Sequence, residues 1–438
     1  VTALRSSESS LYRRGPTGLP RLLLSDSDAH PADFVAHRRR YGLLPIPSRN
    51  RAGRSRLVDL VGAAGLRGRG GAGFPTARKL AAVAAGRQPV VLVNGCESEP
   101  ASAKDRTLLS VVPHLVLDGA VLAASAVGSE EIVVCVHRGD GLADALERTI
   151  AQRRGDPVRW RVAQLPRRYV ASEESALVGF LNRGEARPLS TPPRPYAKGV
   201  RNRPTLIDNV ETLAHLAQIV HYGPDWFRAL GTPTDPGSTL VTVSGAVARP
   251  GVYEIAVGTP LATAITAAGG PSQPLQAALV GGYFGGWVPL PGGYDAPLLH
   301  DRTGPGMPML GAGVLVALPA ASCPLAETAR VLQYLAEESA LQCGPCRFGL
   351  PAIATDLAMI AHGRPDPVVD QRLVHRLRTV AGRGACKHPD GAVGLAASAL
   401  AVFAADVQDH LNGVPCAGLR HSPVLPLPSA QQRDRSWQ

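Results

Sequence analysis

Apolar residues along this chain fall into two interleaved patterns. Short runs rich in β-branched side chains, at 90–93 and 131–136, alternate with stretches where apolar residues recur at helical spacing, as over 115–126, and with glycine-rich loops. Strands of that length separated by helical segments are the pattern of a parallel sheet with crossover helices, so residues 57–232 predict an α/β domain. A Pro-rich connection at 232–236 leads into an apolar run at 239–247, a Pro250-Gly251 turn, a second run at 252–256 and a helical stretch at 261–268 that stops at Gly269-Gly270. Residues 237–320 therefore predict a small βαβ-like module. Over 325–411 the pattern is alanine-rich and helical, and the segments 326–338, 349–362, 370–381 and 391–411 predict four helices of a small bundle. Residues 1–56 read as a basic, poorly ordered arm with short helical pieces, and the Pro-rich, charged stretch 412–438 as a loose tail.

Composition narrows the class. A chain of 438 residues can bury several cores, about three domains by length. It has no uncharged apolar run of about 18 residues, so no membrane span is expected. Its first residues, with Arg5, Arg13 and Arg14, lack the apolar core and cleavage site of a secretory leader. Seven cysteines in this length do not make a disulfide scaffold, which favours a reducing cytoplasm. The formal charge of +11 raises nucleic acid as a partner, but roughly half of the excess lies in residues 1–60, and neither a zinc-finger framework nor an aromatic RNA-binding motif accompanies it. Nucleic acid is set aside, and the arm reads either as solvated or as docked to an acidic partner.

The densest chemical signal is at residues 65–79, Gly-Leu-Arg-Gly-Arg-Gly-Gly-Ala-Gly-Phe-Pro-Thr-Ala-Arg-Lys, just before a predicted helix. Backbone without Cβ atoms can turn its amides inward around a phosphate, and the helix start adds partial positive charge. Gly68, Gly70 and Gly71 would form the cradle, with Arg67, Arg69 and Lys79 as counter-charges; a flexible linker is the competing reading. Three polar segments follow apolar runs: Asn94-Gly95-Cys96-Glu97-Ser98-Glu99-Pro100 with Lys104-Asp105-Arg106, then Tyr169-Val170-Ala171-Ser172-Glu173-Glu174, then Asp208-Asn209-Val210-Glu211-Thr212. Loops at the carboxyl ends of parallel strands usually meet ligands. Against this, Glu173, Glu174, Asp208 and Thr212 also suit helix capping, and Asp105 with Arg106 an ordinary ion pair. In the helical region Cys343 and Cys346 have ligand spacing, and Cys386 with His388 completes either a thiolate set for an iron-sulfur cluster or a Cys3His zinc site. Cys135 reads as core, Cys96 as a neutral filler, Cys323 as a simple cysteine and Cys416 as part of the tail.

From about residue 57 to 411 these motifs resemble the NADH-oxidising flavoprotein subunit of respiratory complex I, a family that includes diaphorase subunits of bidirectional hydrogenases and NAD-dependent formate dehydrogenases. The resemblance implies an α/β FMN-binding domain, a β-grasp module of the soluble-ligand-binding (SLBB) type and a C-terminal four-helix iron-sulfur bundle. It implies FMN held by Gly68, Gly70, Gly71, Lys79, Asn94, Glu173, Asp208, Asn209 and Thr212, with Phe74 beside the nucleotide and Glu99 and Glu174 lining the reaction cavity. NADH would be the donor, and a ferredoxin-like iron-sulfur subunit, at the cytoplasmic face of a membrane complex, the acceptor. The family's Glu-Ser-Cys-Gly-x-Cys-x-Pro-Cys-Arg motif corresponds to Glu338 through Arg347, with Ala340 in place of the first cysteine. Three thiolates admit a [4Fe-4S] cluster with another fourth ligand, a [3Fe-4S] cluster, or none. Cys96, Ser172, Ala77, Leu80, Ala82, Thr191 and Arg194 also depart from the family pattern, chiefly on the nucleotide side. Two rival functions follow: a degenerate structural subunit, and a flavoprotein that exchanges electrons with ferredoxin instead of a nicotinamide.

Overall fold

The computed structural model describes residues 15, 17–23, 33–48, 50–301, 309–363 and 366–438. Helices α1 (Phe34–Tyr41) and α2 (Arg51–Ala64) precede the glycine-rich loop, and α3 (Thr76–Ala84) follows it. The first unit continues through β1 (Val90–Asn94), α4 (Lys104–Val111), α5 (Pro113–Val127), β2 (Glu131–His137), α6 (Leu142–Ala151), β3 (Arg159–Leu165), α7 (Glu174–Arg183), β4 (Thr205–Asn209), α8 (Val210–Tyr222) and α9 (Pro224–Arg228). Its four strands are parallel, in the order β3-β2-β1-β4. Val91 and Val93 join the core formed with α2, α3, α5 and α8, whereas Val90 and Leu92 join a second core with Leu177 and Val178 of α7. A parallel sheet covered on both faces needs apolar residues at successive positions, which explains the unbroken run at 90–93. Cys135 lies in this core as expected.

The chain steps outward from β1 to β2 and β3, then returns to place β4 on the far side of β1. That reversal opens a crevice at the carboxyl ends of β1 and β4, where Asn94 and Asn209 stand side by side in register.

The second unit holds β5 (Ser238–Gly245), β6 (Gly251–Ala256), α10 (Leu261–Ala267), β7 (Leu275–Val280), β8 (Gly286–Pro289) and β9 (Val314–Pro319), a mixed sheet in the order β6-β5-β9-β7-β8. β5 and β9 run parallel and the other pairs antiparallel. The βαβ-like expectation covers β5, β6 and α10 but not β7 and β8, because the alanine and glutamine of β7 blur its strand pattern.

Helices α11 (Pro324–Glu337), α12 (Leu350–Ala361), α13 (Val369–Val380), α14 (His388–Val402) and α15 (Ala404–Leu411) form the third unit. The stretch 391–411, expected as one helix, bends by 82° between α14 and α15. The break falls at Phe403, whose ring is buried edge-on against Trp287 at 5.3 Å between centroids. Among the described residues no single helix is long and apolar enough to cross a membrane.

The expected looseness at both ends is corrected where those ends are described; residues 1–14 and 24–32 lie outside the described residues. Glu254 Oε2 accepts the amides of Arg21 at 2.6 Å and Leu22 at 2.7 Å, and the Arg21 guanidinium lies over the Trp226 ring at 3.9 Å. At the other end Leu425 is buried with its amide on Glu327, and Trp437 lies under the Arg168 guanidinium at 4.2 Å. Polar, Pro-rich composition hides the few apolar anchors, Leu22, Leu425 and Trp437, that fasten these segments.

Candidate functional site

The glycine-rich loop closes over the β1/β4 crevice. Gly68 donates to Phe74 O at 2.9 Å and Thr76 to Leu66 O at 2.9 Å, which folds residues 68–74 into a tight turn just before α3. Gly71 has φ of 108°, open only to glycine at low cost. A Cβ on Gly70 would stand 3.4 Å from Asn209 Cβ, so the missing side chain leaves the backbone against the strand end. The Arg69 amide donates to Thr212 Oγ1 at 2.8 Å, tying the loop to the first turn of α8. Among the described residues, none accepts from the amides of Gly70, Gly71 or Ala72.

Two of the three expected counter-charges are used elsewhere. Arg69 is fully buried, with its guanidinium on Pro236 O at 3.3 Å, Ser238 O at 3.2 Å and the His300 ring at 3.2 Å. Arg67 pairs with Asp301 at 2.7 Å. Both reach across to the second unit and act as ties, because each finds carbonyl or carboxylate partners there. Lys79 remains, its Nζ 2.7 Å from Glu174 Oε1, 2.7 Å from Ile207 O and 3.4 Å from Asp208 Oδ1. Burial opposes its charge, but Asp208 and Glu174 outweigh that and raise its pKa. Burial also pushes the Asp208 carboxyl up to about 6 against the pull of Lys79, and Asp208 Oδ2 is buried without a partner.

The strand-end asparagines are held from both sides. Asn94 Nδ2 donates to Ser172 O at 2.9 Å. Asn209 caps α8 by accepting the Glu211 amide at 3.0 Å and donates to Asp105 Oδ2 at 2.7 Å. The ion pair expected between Asp105 and Arg106 does not form: Lys104 instead reaches Asp105 at 2.6 Å and Glu211 at 2.9 Å, wholly buried. Burial favours protonation of Glu211, yet Lys104, His215 and Arg69 hold its carboxyl well below the ordinary range.

Glu173 is the N-cap of α7, accepting the amides of Ser175 at 2.9 Å and Ala176 at 3.1 Å, so the capping reading holds for it. Glu99 sits further along the same rim. Its Oε2 accepts from Tyr169 OH at 2.9 Å and from the Tyr283 amide of the second unit at 2.8 Å. Burial pushes its carboxyl up to about 7, against those hydrogen bonds. Tyr169 and Tyr283 escaped the sequence reading, although Tyr169 heads the motif that contains Glu173. Phe74 is 45% exposed at the loop tip, with the Arg78 guanidinium 5.5 Å from its ring centroid.

Cys346 lies in a π-helical turn (Pro345–Gly349) that leads into α12, and Cys343 just precedes it. Burial pushes the Cys346 thiol up, and the neighbouring Cys343 and Cys386 sulfurs add to the effect. Ala340 is buried beside them in sequence and offers no donor. His388 is fixed through one ring nitrogen. Its Nε2 meets Leu335 O at 2.7 Å, and its ring lies 5.7 Å from Tyr169 and 5.5 Å from Phe284 between centroids. The carbonyl makes Nε2 the protonated nitrogen, and burial lowers the ring's pKa to about 4. That leaves His388 Nδ1 buried without a partner, and the three thiolate donors suit an iron-sulfur centre. For a flavin phosphate the fit is a side-chain-free turn with unclaimed amides and one held lysine, while the orphaned Asp208 oxygen suits a hydroxyl or N–H donor of the same cofactor.

The strip from Arg168 to Glu174 connects the two centres. Ser172 O receives Asn94, the Tyr169 amide and Arg168 Nε reach Glu338 Oε2 at 3.0 and 2.9 Å, and the Glu173 carboxylate helps burial to push the Cys386 thiol up.

Comparison with known proteins matches this layout. Residues 61–218 fit the family model described as the Nuo51 FMN-binding domain, 240–282 the SLBB domain, and 326–410 the NADH-ubiquinone oxidoreductase-F iron-sulfur binding region. The F 2 subunit of NADH-quinone oxidoreductase in Rhizobium meliloti is 31% identical over 379 residues, 82% of this chain and 90% of that protein. The corresponding F subunit in Escherichia coli is 30% identical over 373 residues, 79% of this chain and 82% of that protein. Among solved structures, the NAD+-reducing [NiFe]-hydrogenase in its air-oxidized state superposes with a TM-score of 0.77 at 32% identity, covering 82% of this chain. This chain spans 63% of that hydrogenase chain. With an FMN-binding domain, an SLBB domain and an iron-sulfur region along the chain and 31% identity over 379 residues, the chain belongs to the family of NADH-quinone oxidoreductase F subunits.

Proposed function

We propose that this chain takes electrons from NADH at the β1/β4 crevice and delivers them singly to an iron-sulfur centre on Cys343, Cys346 and Cys386, for a ferredoxin-like iron-sulfur partner subunit. The observation that carries this reading is the Arg168–Glu174 strip, which touches the strand-end asparagine on one side and the cysteine motif on the other. Bound FMN would supply the conversion from hydride acceptance to single-electron release. The chain's part is positioning: Gly68, Gly70 and Gly71 would line the phosphate turn, Lys79 is held by Glu174 and Asp208, and Asn94, Asn209 and Thr212 fix the strand ends and the loop. Glu99, whose carboxyl burial pushes up to about 7 against the hydrogen bonds from Tyr169 and Tyr283, borders the same cavity with Glu173. All seven cysteines are unpaired, which supports a reducing cytoplasmic setting at the periphery of a multisubunit complex.

The nucleotide side favours one second reading. Ala82 is exposed where a stacking ring would stand, and Arg194 is exposed in place of another. Exchange with ferredoxin in place of NADH fits that loss.

Anaerobically purified protein decides between them. We expect FMN released on denaturation, flavin absorbance bleached by NADH, and iron with labile sulfide that Cys346→Ser abolishes while bleaching persists. Bleaching by reduced ferredoxin alone would replace NADH as the donor, and failure to take up FMN offered in excess would leave a structural subunit.

A further inference from the structure

Two thiols and an imidazole that the redox path does not use meet at one point of the helical bundle. Cys323 is the N-cap of α11, its Sγ accepting the Ala326 amide at 3.4 Å. His410 lies in the last turn of α15, and Cys416 directly precedes a short 3-10 turn, Ala417–Arg420. Cys323 Sγ is 3.6 Å from His410 Nε2, and the two sulfurs and the ring nitrogen all lie within 4.8 Å of one another. Cys323 and His410 are buried and Cys416 is half-buried. A close backbone approach brings Cys416 in: a Cβ on Gly418 would stand 2.5 Å from the Cys323 nitrogen.

We propose that Cys323, His410 and Cys416 bind one zinc-like divalent ion, at a site separate from the Cys343, Cys346 and Cys386 centre. Two thiolates and an imidazole are zinc's preferred donors, and soft sulfur disfavours magnesium and calcium. A sulfur at about 2.3 Å and a nitrogen at about 2.1 Å from a tetrahedral ion stand about 3.6 Å apart. That is the Cys323 to His410 separation. Three protein ligands leave the fourth position to water.

The ligands come from the start of α11, the end of α15 and the segment beyond it. An ion there staples residues 412–438 to the bundle at the point where they leave it. Further on, that segment supplies Asp434 and Trp437, which cover Arg167 and Arg168 at the start of the strip between the two redox centres. Zinc would thus stabilise the covered state of that strip.

The test uses full-length protein purified anaerobically, stripped with a chelator, titrated with zinc chloride, desalted and read by elemental analysis. One zinc per chain is expected in the parent and in Cys343→Ser, with at least a tenfold loss of affinity in Cys416→Ser and in His410→Gln. Iron content in those two variants should match the parent, which also reports that they fold. Trypsin cleavage at Arg420 should accelerate on zinc removal. Zinc that persists in both variants, zinc that disappears only with Cys343→Ser, or a Cys323–Cys416 disulfide in the isolated protein would each overturn the proposal.

Discussion

His137, at the end of β2, shows how burial sets a single residue's chemistry. Its Nδ1 meets Pro166 O at 3.1 Å, which makes that nitrogen the donor, so Nε2 accepts from Ser98 Oγ at 3.0 Å. Burial lowers its pKa from 6.5 to about 4. The unfolded chain therefore binds the proton first, so this residue's contribution is full above pH 6.5 and is lost as the pH falls toward 4. Urea midpoints at pH 7 and pH 5 should differ less for His137→Asn than for the parent. The glycines of the loop were legible at this scale because only backbone can form such a turn. The fate of Arg67 and Arg69 was not, since their partners Asp301, Pro236 and Ser238 are more than 160 positions away.

At the scale of elements, the sheet and its crossover helices follow from periodicity, and packing decides how closely they approach. Helix α5 is buried along all 15 residues and crosses α8 at Gly119, where a Cβ would meet Leu213 O at 1.8 Å. Neither backbone can yield, so Gly119→Ala should cost at least about 1–3 kcal/mol through overpacking. Its melting temperature should fall by several degrees while the same substitution at exposed Gly394, which meets nothing within 4 Å, leaves it unchanged or higher. The bend at Phe403 belongs to the same scale. A continuous alanine-rich pattern carries no break signal, and the bend appears because Phe403 packs against Trp287 of the second unit.

At the scale of the molecule, both terminal segments act as straps across units. Trp437 is 9% exposed, its carbonyl accepts the Ala186 amide at 2.7 Å, and its ring lies beneath Arg168. Losing the ring removes a cation–π contact of about 1–2 kcal/mol together with its buried area. Trp437→Ala should therefore speed proteolysis within 412–438, with the first-unit sheet still folded by circular dichroism. The domain order, the phosphate-type loop and the cysteine motif were legible because each is local: a hydrophobic period, a run without Cβ atoms, a ligand spacing. The Lys104, Asp105 and Glu211 network, the Tyr169 and Tyr283 grip on Glu99, and the meeting of Cys323, His410 and Cys416 were decided only by tertiary structure. Sequence by itself determined which backbone turns and periodic faces form. Which buried charges pair, and which distant thiols converge, depends on desolvated contacts between units, whose energies exist only once the chain has closed around them.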